Sequence, residues 1–311
     1  MTLRLLLVAD PHISDIPPAS RNDQYPLEVL GKLHYVIGYA AQRADGIVFT
    51  GDIFHRRSFN DYGLLVAIIN MLNEARRQKL GFTAFSIVGN HDVSLRHSEL
   101  NKQPFGLLVA SGALVRIPST GLLFGNVLLV GKDFERVPTP EYFSVSEQLD
   151  ALVAQEVKWS VLVTHGNLVP TGFSAHGDFY QYAQLNPRAD VLLNGHLHSG
   201  FPTMRHGRTL FINPGSIARI SRDDHRDELR VILATFTNEE ILVEDVAVPC
   251  APYQQAFTDT VALVDTAPHI VDVDRIVSQL KLDVGHDTLE SMDLDPDVKR
   301  VAMYYLDQAK T

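Results

Sequence analysis

Five short elements hold the groups that could do chemistry together: Asp10-Pro-His12, Gly51-Asp52, Gly89-Asn90-His91-Asp92, His165 and Gly195-His196-Leu-His198. Carboxylates, imidazoles and one side-chain amide suit a divalent transition metal, whereas Ca²⁺ would favour oxygen donors alone. There are too many donors for one ion. Two ions about 3.5–4 Å apart, sharing a carboxylate, would use them all. Asp52, central in chain order, is the candidate bridge. Taken singly the elements are weak signals, since a strand-end Gly-Asp is often only a turn. Gly-Asn-His-Asp is more specific, because three consecutive polar groups after a buried strand need partners. All five in this order, each at the end of an apolar run, read as a metal site.

Those runs are the elements that must position the ligands. "LRLLLVAD" (3–10), "GIVFTGD" (46–52) and "TAFSIVGN" (83–90) are continuously apolar, as strands covered on both faces are. Residues 26–43 and 60–79 carry apolar residues at helical spacing, which gives an alternating α/β opening. In the second half "SVLVTHG" (160–166) and "DVLLNGH" (190–196) come first. Strands at 209–215, 228–237 and 239–248 then follow too closely for helices between them, predicting a more antiparallel second sheet. Every candidate ligand falls at the carboxyl end of a predicted strand, where open α/β sheets place their ligand sites. Near 249 the proline-interrupted "PCAPYQQAF" marks a boundary between a catalytic domain, 1–249, and a small C-terminal capping or partner-binding region, 250–311. A strand at 260–265 and helices at 273–282 and 288–309 make that region an α+β appendage.

Composition bounds the setting. The chain has 311 residues, 45% of them hydrophobic, and a net charge of −10. That balance argues against a basic clamp on nucleic acid, although bound cations would reverse the field locally. One cysteine, Cys250, permits no internal disulfide, so a reducing, cytoplasmic location is expected. No apolar run approaches the ~18 residues of a membrane helix, so no membrane association is expected.

The five elements together resemble the calcineurin-like metallophosphoesterases across residues 10–198, and "NPGS" at 213–216 is similar to a further segment of that superfamily. The resemblance implies an α/β fold, a four-layer sandwich of two mixed β-sheets flanked by helices. It also implies one metal on Asp10, His12, Asp52 and His198, and another on Asp52, Asn90, His165 and His196. His91 would contact the phosphate or the leaving group, with Asp92 orienting it. Two cations would offset the charge of a phosphate ester and lower the pKa of a water between them. His91 would supply a proton to the departing alkoxide.

"GDIFHRR" (51–57) narrows the resemblance to the SbcD-type DNA-repair nucleases, as does "FINPGSIARI" (211–220). This implies that His55 assists phosphodiester cleavage and that DNA is the partner. Mn²⁺ is the expected metal, with Mg²⁺, Fe²⁺ or Zn²⁺ compatible. Arg56, Arg57, Arg205, Arg208 and Arg219 are candidates for flanking phosphates, and His176 for the cleft mouth. "DYGLLVAIINML" is apolar almost all round its helix, and "PFGLLVASGAL" shares the excess, so a homodimer through helices near 61–73 and 98–112 is expected. An SbcC-like ATPase is a further possible partner, although about 60 residues after 250 are few for a full capping domain and a docking segment. The alternative is a small-molecule phosphodiesterase or phosphomonoesterase on the same scaffold.

Overall fold

The computed structural model describes residues 2–257, apart from 22, 58–60, 94–96, 147–148, 150–156 and 172–178. Strand β1 (Leu3–Val8) leads to helix α1 (Tyr25–Arg43), β2 (Gly46–Phe49), α2 (Tyr62–Gln78), β3 (Thr83–Ser86), α3 (Pro104–Ala110) and β4 (Val115–Arg116). Then follow β5 (Leu122–Phe124), β6 (Val127–Gly131), β7 (Trp159–His165), β8 (Leu168–Val169), β9 (Tyr180–Gln181) and β10 (Val191–Gly195). The chain continues through β11 (Phe201–His206), β12 (Thr209–Asn213), β13 (Leu229–Phe236) and β14 (Ile241–Val248) to a single turn, α4 (Tyr253–Ala256).

Two mixed sheets of six strands result, ordered β14-β13-β1-β2-β3-β4 and β11-β12-β10-β7-β6-β5. Period-two alternation along β1 divides the layers: Leu5 and Leu7 enter the core between the sheets, while Leu6 and Val8 face the helices. Opposite Leu5 and Leu7 stand Val161, Val163, Val191 and Leu193 of the second sheet. Helices α1, α2 and α3 cover the outer face of the first sheet. Among the described residues, the outer face of the second is covered by short 3₁₀ turns carrying Tyr142, Phe143 and Tyr182. Helix α2 starts where Asp61 accepts the Leu64 amide, and Arg76 and Arg77 complement its last turn.

The expected division between a parallel and an antiparallel sheet does not hold. β6, β7, β10 and β12 run parallel, so the second sheet is parallel at its centre. The close-spaced pair β13 and β14 returns to the first sheet, antiparallel to β1 through β13. A tight hairpin fixes only that its two strands pair. Which sheet it joins is decided by the apolar inner face of β13, where Ile232, Ala234 and Phe236 fill the space between the sheets.

The arginines expected to meet flanking phosphates divide. Arg219 is fully buried, its guanidinium donating to the carbonyls of Arg226 and Ala251. It sits near a buried ionic group in which Lys32 meets Glu28 at 2.7 Å and Arg21 lies between Asp23 and Glu28. Arg205 and Arg208 occupy the β11–β12 turn, where Arg208 donates to the Arg188 carbonyl. β12 runs parallel to β10, so that turn is at the amino end of the strands, opposite the ligands. Arg56 and Arg57 are exposed. The elements expected at 260–265, 273–282 and 288–309, like His176, lie outside the described residues.

Candidate metal centre

The strands stop earlier than their apolar runs, and the ligands stand on the turns just beyond. Asp10, His12, Asp52 and His196 all have positive φ, at 45°, 48°, 47° and 78°. A side chain in the left-handed region costs about 1–2 kcal/mol. Four such residues around one point mean that packing holds them against that cost, as happens where side-chain direction matters. Gly89 makes room for one of them: a Cβ at this position would lie 2.1 Å from Asp52 Oδ1.

Two groups of donors meet at Asp52. His12, Asp52 and His198 form one, with the Nε2 atoms of the two histidines 2.8 Å apart and Asp52 Oδ2 3.7 Å from His12 Nε2. Asp52, His165 and His196 form the other, with Asp52 Oδ2 3.3 Å from His165 Nε2. Asn90 Oδ1 joins the second group, 2.9 Å from His165 Nε2 and 3.0 Å from His196 Nδ1. Asp10, His12, Asp52 and His165 are buried, forming a floor, while Asn90, His91, His196 and His198 make a half-buried rim. Asp10 is adjacent but belongs to neither trio. Its oxygens accept the His196 amide, at 3.0 and 3.2 Å, and approach His165 Nδ1 to 3.5 Å.

A third histidine group is distinct. His55 and His91 stack with centroids 5.4 Å apart and 15° between planes, and both lie edge-on to His12. His91 Nδ1 sits 2.7 Å from the His55 carbonyl. A carbonyl only accepts, so Nδ1 carries the proton and Nε2 is left for another partner. Asp92, expected to orient His91, is engaged with backbone. Its two oxygens take the backbone N–H groups of Phe54 and Gly89, each at 3.0 Å, so it ties the loops of Asp52 and Asn90 together. The group that orients His91 is the His55 carbonyl.

The charges fit cations. Burial lowers His12 well below the ordinary histidine range and brings His196, His198 and His55 down to about 4, keeping their lone pairs free at neutral pH. Burial alone would raise Asp52, but the charge of His165, then its hydrogen bond and His12, hold the carboxyl far below its usual range. Conversely, burial would lower His165, yet Asp52 and then Asp10 raise it to about 9. Burial lifts Asp10 to about 7, with His165 opposing and Asp52 adding to the rise. An anionic Asp52 among neutral imidazoles, with Asp10 beside it and a proton held on His165, is a site that suits a bound cation. His165 Nδ1 is 2.8 Å from the Thr50 carbonyl, so Nε2 is the atom that would turn to it.

The sequence reading missed several neighbours. The ring of Phe134 lies 6.0 Å from that of His165 and 5.8 Å from that of His196, walling the second group. Tyr142 Oη accepts the His165 amide, and Asn194 Oδ1 accepts from Thr164 and Gly166. Phe134 was findable: "VLLVGKDF" is another apolar run ending in Gly and polar residues, and its carboxyl end reaches the same place.

The sequence pattern of the calcineurin-like phosphoesterases matches residues 3–200, more than half of the 311. No curated protein matches in sequence. Among solved structures, a predicted phosphoesterase from Streptococcus pneumoniae TIGR4 is 14% identical, covering 79% of this chain and 90% of its own, with a TM-score of 0.35. The phosphoesterase Yfce from E. coli is 19% identical over 79% of this chain and all of its own, at 0.35. A 5'-nucleotidase precursor from Thermus thermophilus is 13% identical, covering 81% of this chain and 56% of its own, at 0.44. Among the described residues no helix is long and apolar enough to cross a membrane.

Proposed function

We infer the reaction from one premise: this chain belongs to the calcineurin-like phosphoesterase family. It is a metal-dependent phosphoesterase whose donors suit two divalent ions. We propose that it is a Mn²⁺-dependent DNA nuclease of the SbcD type, hydrolysing phosphodiester bonds. One ion would be held by Asp10, His12, Asp52 and His198, and the other by Asp52, Asn90, His165 and His196. When bound, the pair supplies charge neutralisation for the phosphate and an acidified water. His91 presents Nε2 to the leaving oxygen, its other nitrogen fixed on the His55 carbonyl. His55 stacks on His91, in place to steady that ring and a second ester arm.

The observation that carries the nuclease reading is the position of His55. A histidine three residues beyond the shared carboxylate is not needed by either donor group, yet it closes a third cluster with His12 and His91. A single small phosphate would have little use for this additional imidazole; an unactivated phosphodiester, with a poor leaving group, has one. The test compares linear duplex DNA, single-stranded DNA and bis-p-nitrophenyl phosphate with added Mn²⁺. Mn²⁺-dependent loss of both DNAs is expected. Hydrolysis of the small ester alone would point instead to the small-molecule reading.

A further inference from the structure

Beyond the ligands, the turn after β12 brings one cation to the edge of the site. Asn213 pins this turn, donating from its side-chain amide to the Leu197 carbonyl and accepting the Gly215 amide. Ser216 then donates its amide to the His198 carbonyl and its hydroxyl to the Asp10 carbonyl, so the turn is joined to His198 of the first donor group and to the adjacent Asp10. Gly215 has φ +82°, and a Cβ there would lie 2.6 Å from Arg226 Nη1 and 2.8 Å from the His198 carbonyl oxygen. The guanidinium therefore lies over Gly215, on the side of the His198 carbonyl, in space that a glycine leaves open. Asp224 holds it there through Nε at 2.7 Å and Nη2 at 2.5 Å. Its side chain remains 19% exposed, and Nη1 is left outside the Asp224 pair. Its charge reaches Asp10 and His198, lowering both.

We propose that Arg226 binds the phosphate next to the scissile one, making a polynucleotide, rather than a lone phosphate ester, the preferred substrate. This rests on the nuclease reading above. A guanidinium fixed along one edge by a carboxylate offers its remaining N–H groups as a preorganised donor for phosphate oxygens. A positive group beside a cluster that gathers cations is unfavourable unless an anion lies between them, and a flanking phosphate is such an anion. Across the site, exposed Arg57 has Nη2 3.4 Å from the Asn90 carbonyl, beside the second donor group. The two arginines thus stand beside different donor groups, Arg226 by His198 and Arg57 by Asn90, where phosphates neighbouring the scissile one could meet them. In a chain of net charge −10, these local cations determine where a polyanion can lie.

The experiment compares Arg226→Ala with the unaltered protein on bis-p-nitrophenyl phosphate, which has one phosphate, and on a short single-stranded oligonucleotide. Anisotropy of a labelled phosphorothioate oligonucleotide, measured over a range of KCl, reports binding apart from turnover. Metal content checks that the site survives. Loss of one charged contact should lower oligonucleotide kcat/KM roughly tenfold to a hundredfold. The log–log salt slope should become shallower by about 0.7, one phosphate's worth for a single strand. The small ester should change by less than about threefold, with metal content intact. Arg226→Lys should restore the slope and part of the affinity, and it carries the test if the alanine variant fails to fold. Equal losses on both substrates, or an unchanged slope, would overturn the inference. If the unaltered protein hydrolyses the ester but no oligonucleotide, the nuclease reading falls and this inference with it.

Discussion

Replacing Gly89 with alanine removes no chemical group, yet it should cost the protein its metals. The new methyl would stand 2.1 Å from Asp52 Oδ1, 2.3 Å from the Asp52 amide nitrogen and 2.7 Å from Cγ. Reaching ordinary contact requires a retreat of about 1 Å by one side or the other, at an overpacking cost of about 1–3 kcal/mol. If Asp52 yields, it leaves both donor groups at once and loses the 2.7 Å bond from the His91 amide. If the 89–92 loop yields, Asn90 and His91 move instead. Either way a displacement of about 1 Å at the reacting centre is expected to cost on the order of a hundredfold in turnover. Metal per chain after dialysis, hydrolysis of bis-p-nitrophenyl phosphate and a thermal melt would be measured together. Gly38→Ala is the control: it lies in α1 with nothing within 4 Å of an added Cβ, and should be neutral or stabilise by about 0.5–1 kcal/mol. A Gly89→Ala protein with full metal content and full activity would refute the reasoning about Asp52.

Other outcomes follow from the same geometry. His91→Ala should retain metal but lose about 10²–10⁴-fold in turnover, whereas His55→Ala should harm DNA cleavage more than hydrolysis of the activated ester; parallel losses of metal would make either residue a ligand. In the metal-free protein, His165 is raised to about 9 in the fold, so the stability from its pairing with Asp52 is complete below its unfolded value near 6.5. That stability is lost as pH rises through 9. From pH 7 upward this loss should amount to about 2–3 kcal/mol, with the end of the Asp10 and Asp92 titrations, both raised to about 7, adding in the same direction. It should be visible in melts with EDTA and abolished by Mn²⁺, and a flat profile would contradict the pairing. Packing within the chain already buries Leu64, Leu65, Ala67, Ile68 and Leu72 of α2, leaving Tyr62 and Val66 of that helix and Leu107 of α3 exposed. We propose that a two-fold homodimer covers these three, which light scattering at micromolar concentration would test; a strict monomer would rule it out.

How far the sequence could be read depended on how locally each feature is encoded. Asp10, His12, Asp52, Asn90, His165, His196 and His198 converge as expected because each directly follows an apolar run, and parallel strands bring those ends to one edge. The left-handed turns that aim them left no signal at Asp10 and His12, and at Asp52 and His196 only the glycine before each. The role of Asp92 was hidden because its partners are backbone N–H groups, identical in every residue. Arg226 was hidden by distance: it follows His198 by 28 positions and reaches the site only because Gly215 and Asp224 fold the loop back. Arg219, three residues after "PGS", looked like a phosphate contact and is a buried tie to the 250–257 segment. For a charged residue in a loop, type says little about direction until the tertiary partners are known.

Whether Asp52 joins two metal sites is tested most directly by a metal titration. Metal-free protein titrated with Mn²⁺, followed by calorimetry, should bind two ions per chain. His198→Ala and His196→Ala should each weaken one site and leave the other measurable, while Asp52→Asn should weaken both together. A single ion per chain, or an Asp52→Asn protein that still binds two tightly, would contradict the account.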